Sequence, residues 1–160
     1  MKKTIILVAA ILCAANIHAQ RIDFNYPGRS DNEVNEPDYS PWALATTASD
    51  TKQLTDGNGN TITVTVANDE KYAGKTLRAC WFKNGISSSK LVADGFAIYG
   101  LEADNNTPQV TTGAVRLNIT ISGMPAGEHS LLAYHNNTDN YSSPKLDVYV
   151  DGEKKLSGVK

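Results

Sequence analysis

The chain has little of what small catalytic or metal-binding domains rely on. Among 160 residues there are two cysteines and three histidines. Two thiols cannot build a disulfide scaffold or a four-thiolate metal site. No His-Glu-x-x-His, Cys-x-x-Cys or Gly-x-Ser-x-Gly spacing occurs. The zinc-protease, dithiol and nucleophile-elbow chemistries that need those geometries are therefore not expected. A basic excess is missing as well: 15 Lys and Arg stand against 17 Asp and Glu, for a net charge of −2 and a pI near 5.9. Without surplus cations to displace the counterions of a phosphate backbone, nucleic acid is not an expected partner. Long apolar runs are absent except for one at the start, so no membrane span is expected.

That one run reads as a secretory signal. Lys2 and Lys3 supply a positive start, Ile5 to Ala15 is continuously apolar, and small Ala19 precedes Gln20. The run is too short to cross a bilayer, which takes about twenty residues, and the pattern predicts a signal peptide over residues 1–19. Export to the periplasm, the outer surface or the medium follows. Cys13 is preceded by Leu12, where lipid attachment needs a small residue, so a lipid anchor is disfavoured. Cleavage leaves Cys80 as the single thiol. An exported domain without an internal disulfide must rely on its core.

Residues 20–60 are rich in Pro, Asp, Asn and Ser, and predict an extended lead-in packing on the domain. Pro37 and Pro41 bias their predecessors away from helix, while Phe24, Tyr26, Tyr39 and Trp42 can pin the segment to the domain face. From residue 61 onward the period is two. Thr61 to Val66 alternates strictly, with Ile62, Val64 and Val66 on one face. Ala114 to Ile121 does the same with Val115, Leu117, Ile119 and Ile121, and so does Lys145 to Asp151. Leu77–Phe82, Leu91-Val92, Phe96–Tyr99 and His129–Tyr134 are further strand candidates, separated by Gly or Pro-Gly turns. No window past the signal has helical spacing with caps. The expected fold class is all-β: an antiparallel β-sandwich or jelly roll over residues 61–160, each sheet with one wet face. The chain stops soon after a strand, so the sandwich is expected to be truncated at its C-terminus.

No catalytic constellation is expected in this chain alone. Cys80 lies in an apolar strand beside Trp81 and reads as a small core hydrophobe rather than a nucleophile. Glu102 and Asp104, next to Asn105 and Asn106, read as a solvated loop. No cofactor is expected, although Asp56-Gly57-Asn58-Gly59-Asn60 places oxygen donors at alternate positions that could suit calcium. The segment lacks the closing glutamate of an EF-hand, position 68 being Asn68. A hairpin turn accounts for the same residues.

Glycan binding is the remaining chemistry. Sugars offer apolar C–H faces and a fixed ring of hydroxyls, so a site needs an aromatic platform beside planar polar groups. Tyr134-His135-Asn136-Asn137-Thr138-Asp139-Asn140-Tyr141 fits at a loop. Tyr134, His135, Asn136 and Asp139 are the candidates there, although the polar ones serve equally to shape a turn. Trp81, Trp42 and Tyr99 are candidate platforms with a core role as the plainer reading. Arg78 alternates with apolar neighbours and could grip a uronate carboxylate through two parallel hydrogen bonds; a surface ion pair is the plainer use.

Tyr26-Pro27-Gly28-Arg29 followed by Glu36-Pro37-Asp38-Tyr39-Ser40-Pro41-Trp42 resembles the opening of the amino-terminal sandwich on exported pectate-lyase-like proteins of Gram-negative polysaccharide degraders. Leu77 to Gly85, Leu91 to Gly95 and Ile121 to Asn136 resemble its later blocks in the same order. The Gly-x-Pro-x-Gly turn at Gly123 to Gly127 is similar to malectin-like and other galactose-binding-like modules. The resemblance covers most of residues 21–153. It implies a malectin-like jelly roll ahead of a right-handed parallel β-helix that cleaves uronate-containing polysaccharide by β-elimination. No β-helix follows here, and no sugar-contacting residue of that family is carried over. Three expectations result: a non-catalytic carbohydrate-binding or accessory module whose partner is a polysaccharide; the N-terminal fragment of a polysaccharide lyase, packing against its β-helix; or a cell-surface structural or adhesive domain.

Overall fold

The strictest alternation in the sequence builds the centre of the fold. In β4 (Thr61–Asn68), Ile62, Val64 and Val66 are buried, and the threonines between them are exposed or half-buried. One face of a pleated strand can be dry while the other is wet because successive side chains point to opposite sides. The structure, a computed structural model, describes residues 19–72, 75–82, 89–100, 115–134 and 145–159, together with the backbone but not the side chains of Tyr72, Lys75 and Tyr99. All but one residue of the expected signal, Cys13 included, lie outside that description.

β4 is the middle of a three-stranded antiparallel sheet, with β3 (Ser49–Thr55) on one side and β7 (Leu117–Ser122) on the other. The β3–β4 hairpin closes over Asp56, as a turn reading of that segment expects. The carboxylate of Asp56 accepts the N–H groups of Asn58 (2.9 Å) and Asn60 (2.7 Å) and the Asn60 side-chain amide (2.8 Å). Those oxygens serve the loop's own backbone. Gly123 ends β7 where only glycine fits: its φ is +81°, and a Cβ there would stand 2.2 Å from the Thr61 carbonyl oxygen.

A second antiparallel pair joins β5 (Lys75–Trp81) to β6 (Asp94–Gly100), and Thr47 bridges to Leu77. The expected lead-in is more structured than an extended strap. β1 (Ile22–Asn25) and β2 (Ser40–Ala43) form a parallel pair, a departure from the all-antiparallel expectation. The crossover between them contains a single helical turn, α1 (Asp31–Val34), whose Glu33 carboxylate accepts from Ser30 N–H (3.1 Å) and Ser30 Oγ (2.8 Å). β1 packs on β5 and β6. Trp42, Leu44, Leu54, Ile62, Val64, Val66 and Leu77 make the core, and Ile22, Phe24, Phe96, Ile98 and Ile121 close its margin. Phe24 bridges the layers, its ring 5.1 Å from Trp42 and 4.5 Å from Phe96 between centroids. Phe24 and Trp42, from the N-terminal segment, thus pack into this core.

Three other expectations are corrected. Leu91-Val92 is not a strand: with Lys90 it makes a 3₁₀ turn capped by Ser89, whose Oγ accepts Leu91 N–H at 3.1 Å. His129–Tyr134 is irregular and exposed; Gly127 sits at φ +146° and His129 Nε2 contacts the Pro125 carbonyl at 2.8 Å, a chain path that leaves no ladder. The expected dry face of Ala114–Ile121, whose last five residues lie in β7, is largely wet: Val115, Leu117 and Ile119 are exposed, and of the four only Ile121 reaches the core. β8 (Leu146–Val150) and β9 (Glu153–Val159) form a hairpin through Asp151-Gly152, both with positive φ as a tight two-residue turn requires. Arg116 lies over its Tyr149 ring at 5.2 Å. Strands dominate throughout, so the chain is all-β, and none of the helices among the described residues is long and apolar enough to cross a membrane.

Candidate functional site

The site grows from the turn that follows β1. Pro27 presets its own φ, Arg29 N–H donates to the Tyr26 carbonyl at 3.3 Å, and the chain reverses within four residues. Gly28 permits this because the Tyr26 ring folds back on it: a Cβ would stand 2.5 Å from ring atom Cε1. The turn faces Arg78 and Ala79 of β5 and the Leu44–Thr46 segment after β2. Together these residues line a cleft of about 350 Å³. Beside it, the Arg29 guanidinium lies 4.6 Å above the Trp81 ring and pairs with Glu33 at 3.3 Å.

Of the residues the sequence singled out, the structure brings Arg78 to the cleft and sets Trp81 next to it with one indole face under Arg29. The Cys80 thiol is buried and contacts the Arg78 carbonyl at 3.5 Å. Trp42 is a core residue whose indole N–H donates to Asp50 at 3.0 Å. Tyr99 lies on β6. Tyr134 is 61% exposed at the end of the irregular stretch, whereas His135, Asn136 and Asp139 lie outside the described residues. Among the described residues, no three His, Cys, Asp or Glu side chains converge as metal ligands.

Sequence reasoning missed the polar layer under the turn. On β1 the burial is inverted: Asp23 and Asn25 are buried while Ile22 and Phe24 are only partly so. Asp94, at the start of β6, is buried too, and one of its oxygens accepts Tyr26 N–H at 2.8 Å. The Asp23 carboxylate accepts Glu36 N–H at 2.8 Å, and Asn25 hydrogen-bonds Asn35. Glu36 in turn accepts from Ser89 Oγ (2.7 Å) and Leu91 N–H (3.1 Å), and these bonds, led by Ser89, hold its carboxyl below the usual range. Burial pushes Asp23 up, opposed by the Glu36 N–H and aided by the Glu36 charge. Burial likewise pushes Asp94 up to about 7 against the pull of Tyr26 N–H, with Asp23 adding its repulsion. The only hint in the sequence is the polar half of Ile22-Asp23-Phe24-Asn25, which a period-two reading assigns to solvent.

No family model matches the chain, and neither a curated protein nor a solved structure matches it.

Proposed function

We propose that the chain is an exported, non-catalytic carbohydrate-binding or accessory module serving the degradation of pectin-type polysaccharide. Its strands would belong to a jelly roll of the malectin-like or galactose-binding-like kind. The observation that supports this reading is the placement of Arg78 in a cleft walled by Tyr26. A pyranose ring needs an aromatic surface for its C–H face, and a uronate adds a carboxylate that a guanidinium matches with two parallel bonds. At about 350 Å³ the cleft has room for roughly one sugar residue and its linkages, near the lower end of ligand pockets at about 300 Å³. Affinity per site is therefore modest, and the benefit lies in raising the local concentration of an attached or neighbouring enzyme on its polymer.

Affinity electrophoresis of the protein through polygalacturonate and through neutral galactan tests this. Retardation by polygalacturonate is expected, reduced about tenfold or more in Arg78→Ala, since a charge-assisted pair contributes about 1.5–3 kcal/mol. Tyr26→Ala weakens retention on both polymers. A protein that neither gel retards, and that binds no glycan on an array, overturns the reading.

A second reading has its own support. A structural, adhesive or lyase-packing domain needs a protein-facing apolar surface, and Val115, Leu117, Ile119, Val148, Val150 and Leu156 are all exposed. Recovery of a stable partner from envelope proteins, lost in Val148→Lys, would favour that reading over glycan binding.

A further inference from the structure

Asp94 is placed to control the turn that walls the cleft. It is 5% exposed, and its Oδ2 accepts Tyr26 N–H. Its Oδ1 is buried with no hydrogen-bond partner. Asp23, 1% exposed, lies on β1, which packs against β6. Two buried carboxylates on packed strands that feel each other's charge are costly when both are ionised, and an ionised oxygen without a donor adds to that cost. A neutral Asp94 removes the repulsion and replaces an unpaired charge with an unpaired neutral group, which costs far less to bury: the proton sits on Oδ1 while Oδ2 remains an acceptor for Tyr26. Strand β6 is fixed by its ladder to β5, whereas residues 27–30 of the turn are exposed. The turn is therefore the side of Asp94 that faces water.

We propose that Asp94 is a proton-operated latch: as the neutral acid it holds the Tyr26–Arg29 turn closed over the cleft, and as the carboxylate beside Asp23 it releases it. The charged groups facing it support this sense. Asp23 approaches from β1. Glu36, from the segment before β2, donates its N–H to Asp23 and is held ionised by Ser89, the Leu91 N–H and the nearby Lys90, so its charge adds to that of Asp23. From β5 the register partner is Trp81, which brings no charge, and Arg29 of the turn is engaged with that indole and with Glu33. Burial, opposed by Tyr26 N–H and aided by Asp23, raises Asp94 from 3.8 to about 7. With the folded value above the unfolded one, the latch contributes fully below 3.8 and is lost as pH rises through about 7. The latch does not require that the cleft bind glycan; only its consequence for binding rests on that reading.

Amide NMR of the full protein between about pH 5 and pH 9 tests it. The Tyr26 and Gly28 amides are expected to titrate with a midpoint near 7 and to exchange faster above it. Asp94→Asn, which mimics the neutral acid, should abolish the titration and keep the turn closed. Asp23→Asn, which leaves Asp94 ionisable, should lower the midpoint, and this variant decides the matter if Asp94→Asn does not fold. Amides that do not move, or that still titrate in Asp94→Asn, overturn the proposal. So does a wild-type titration erased by millimolar calcium, which would make the pair a cation site instead. Retention on polygalacturonate should fall from about pH 5 to about pH 8 in wild type but not in Asp94→Asn. If no glycan binds at any pH, the cleft reading fails while the amide titration still judges the latch.

Discussion

Val66 and Ile119 face each other across the β4–β7 ladder on the same side of one sheet. Val66 is fully buried, while Ile119 is 45% exposed. The same contrast runs through the molecule. The described residues between 22 and 98 surround a shared core of β-branched, leucine and aromatic side chains, whereas from Val115 onward most of the apolar residues described, Ile121 apart, face water. Alternation is equally regular in both regions. It prepares a face for burial, but a second layer has to arrive to cover it, and over β4 that cover is Leu77 of β5 with Trp42 and Leu44 from β2 and the segment after it. A hairpin alone buries too little to hold itself rigidly.

The largest test of this contrast is truncation on each side of the boundary. Leu77→Ala, at a fully buried position, should cost about 2–5 kcal/mol in urea unfolding. Ile119→Ala should stay within about 0.5 kcal/mol. Equal costs would mean that β7 is covered in solution and would erase the boundary. A smaller effect is expected at Gly123, where β7 leaves the packed region. Gly123→Ala forces a Cβ against the Thr61 carbonyl at a positive φ and should cost about 1–3 kcal/mol. Gly59→Ala has a similar φ of +84° and open space around it, so it pays the backbone term of about 1 kcal/mol alone. Amide exchange should show the Gly123 effect concentrated in β7.

The smallest effect separates two acids with opposite behaviour. In the exposed hairpin, Asp147 accepts from Lys154 (2.5 Å), Ser157 (2.8 Å) and Gly158 N–H (3.1 Å). These bonds, led by Lys154, lower its carboxyl to about 2. The hairpin's contribution from Asp147 is therefore complete above 3.8 and fades as pH falls toward 2, opposite in direction to Asp94. Because the group is solvent-exposed and screened, Asp147→Asn should shift hairpin amide protection slightly and leave global unfolding unchanged. A global loss would show that the hairpin is integral to the core.

Much of the fold was legible. The Thr61–Val66 alternation and the Asp56–Asn60 turn are local signals, set by pleat geometry and side-chain capping, and both formed as those signals dictate; the partner strand β3 lies in the segment expected to be an extended lead-in. Ser30-x-x-Glu33 also carried a readable helix start, yet four residues between loops give no periodicity to detect. The irregular path of His129–Tyr134 and the parallel pairing of β1 with β2 depend on partners distant in sequence. At the site, Arg78 and Trp81 stood out through their chemistry, but the Tyr26 wall depends on where a turn lands.

The order of residues settled the local rules by itself: which segments pleat, where the chain must turn, and the scarcity of thiols, imidazoles and surplus cations. Tertiary structure alone decided which apolar faces are covered and that Asp23 and Asp94 are both buried on packed strands. Periodicity is a property of neighbours along the chain. Burial, and the cost of charge within it, depends on what folds across from each residue, which no local pattern encodes.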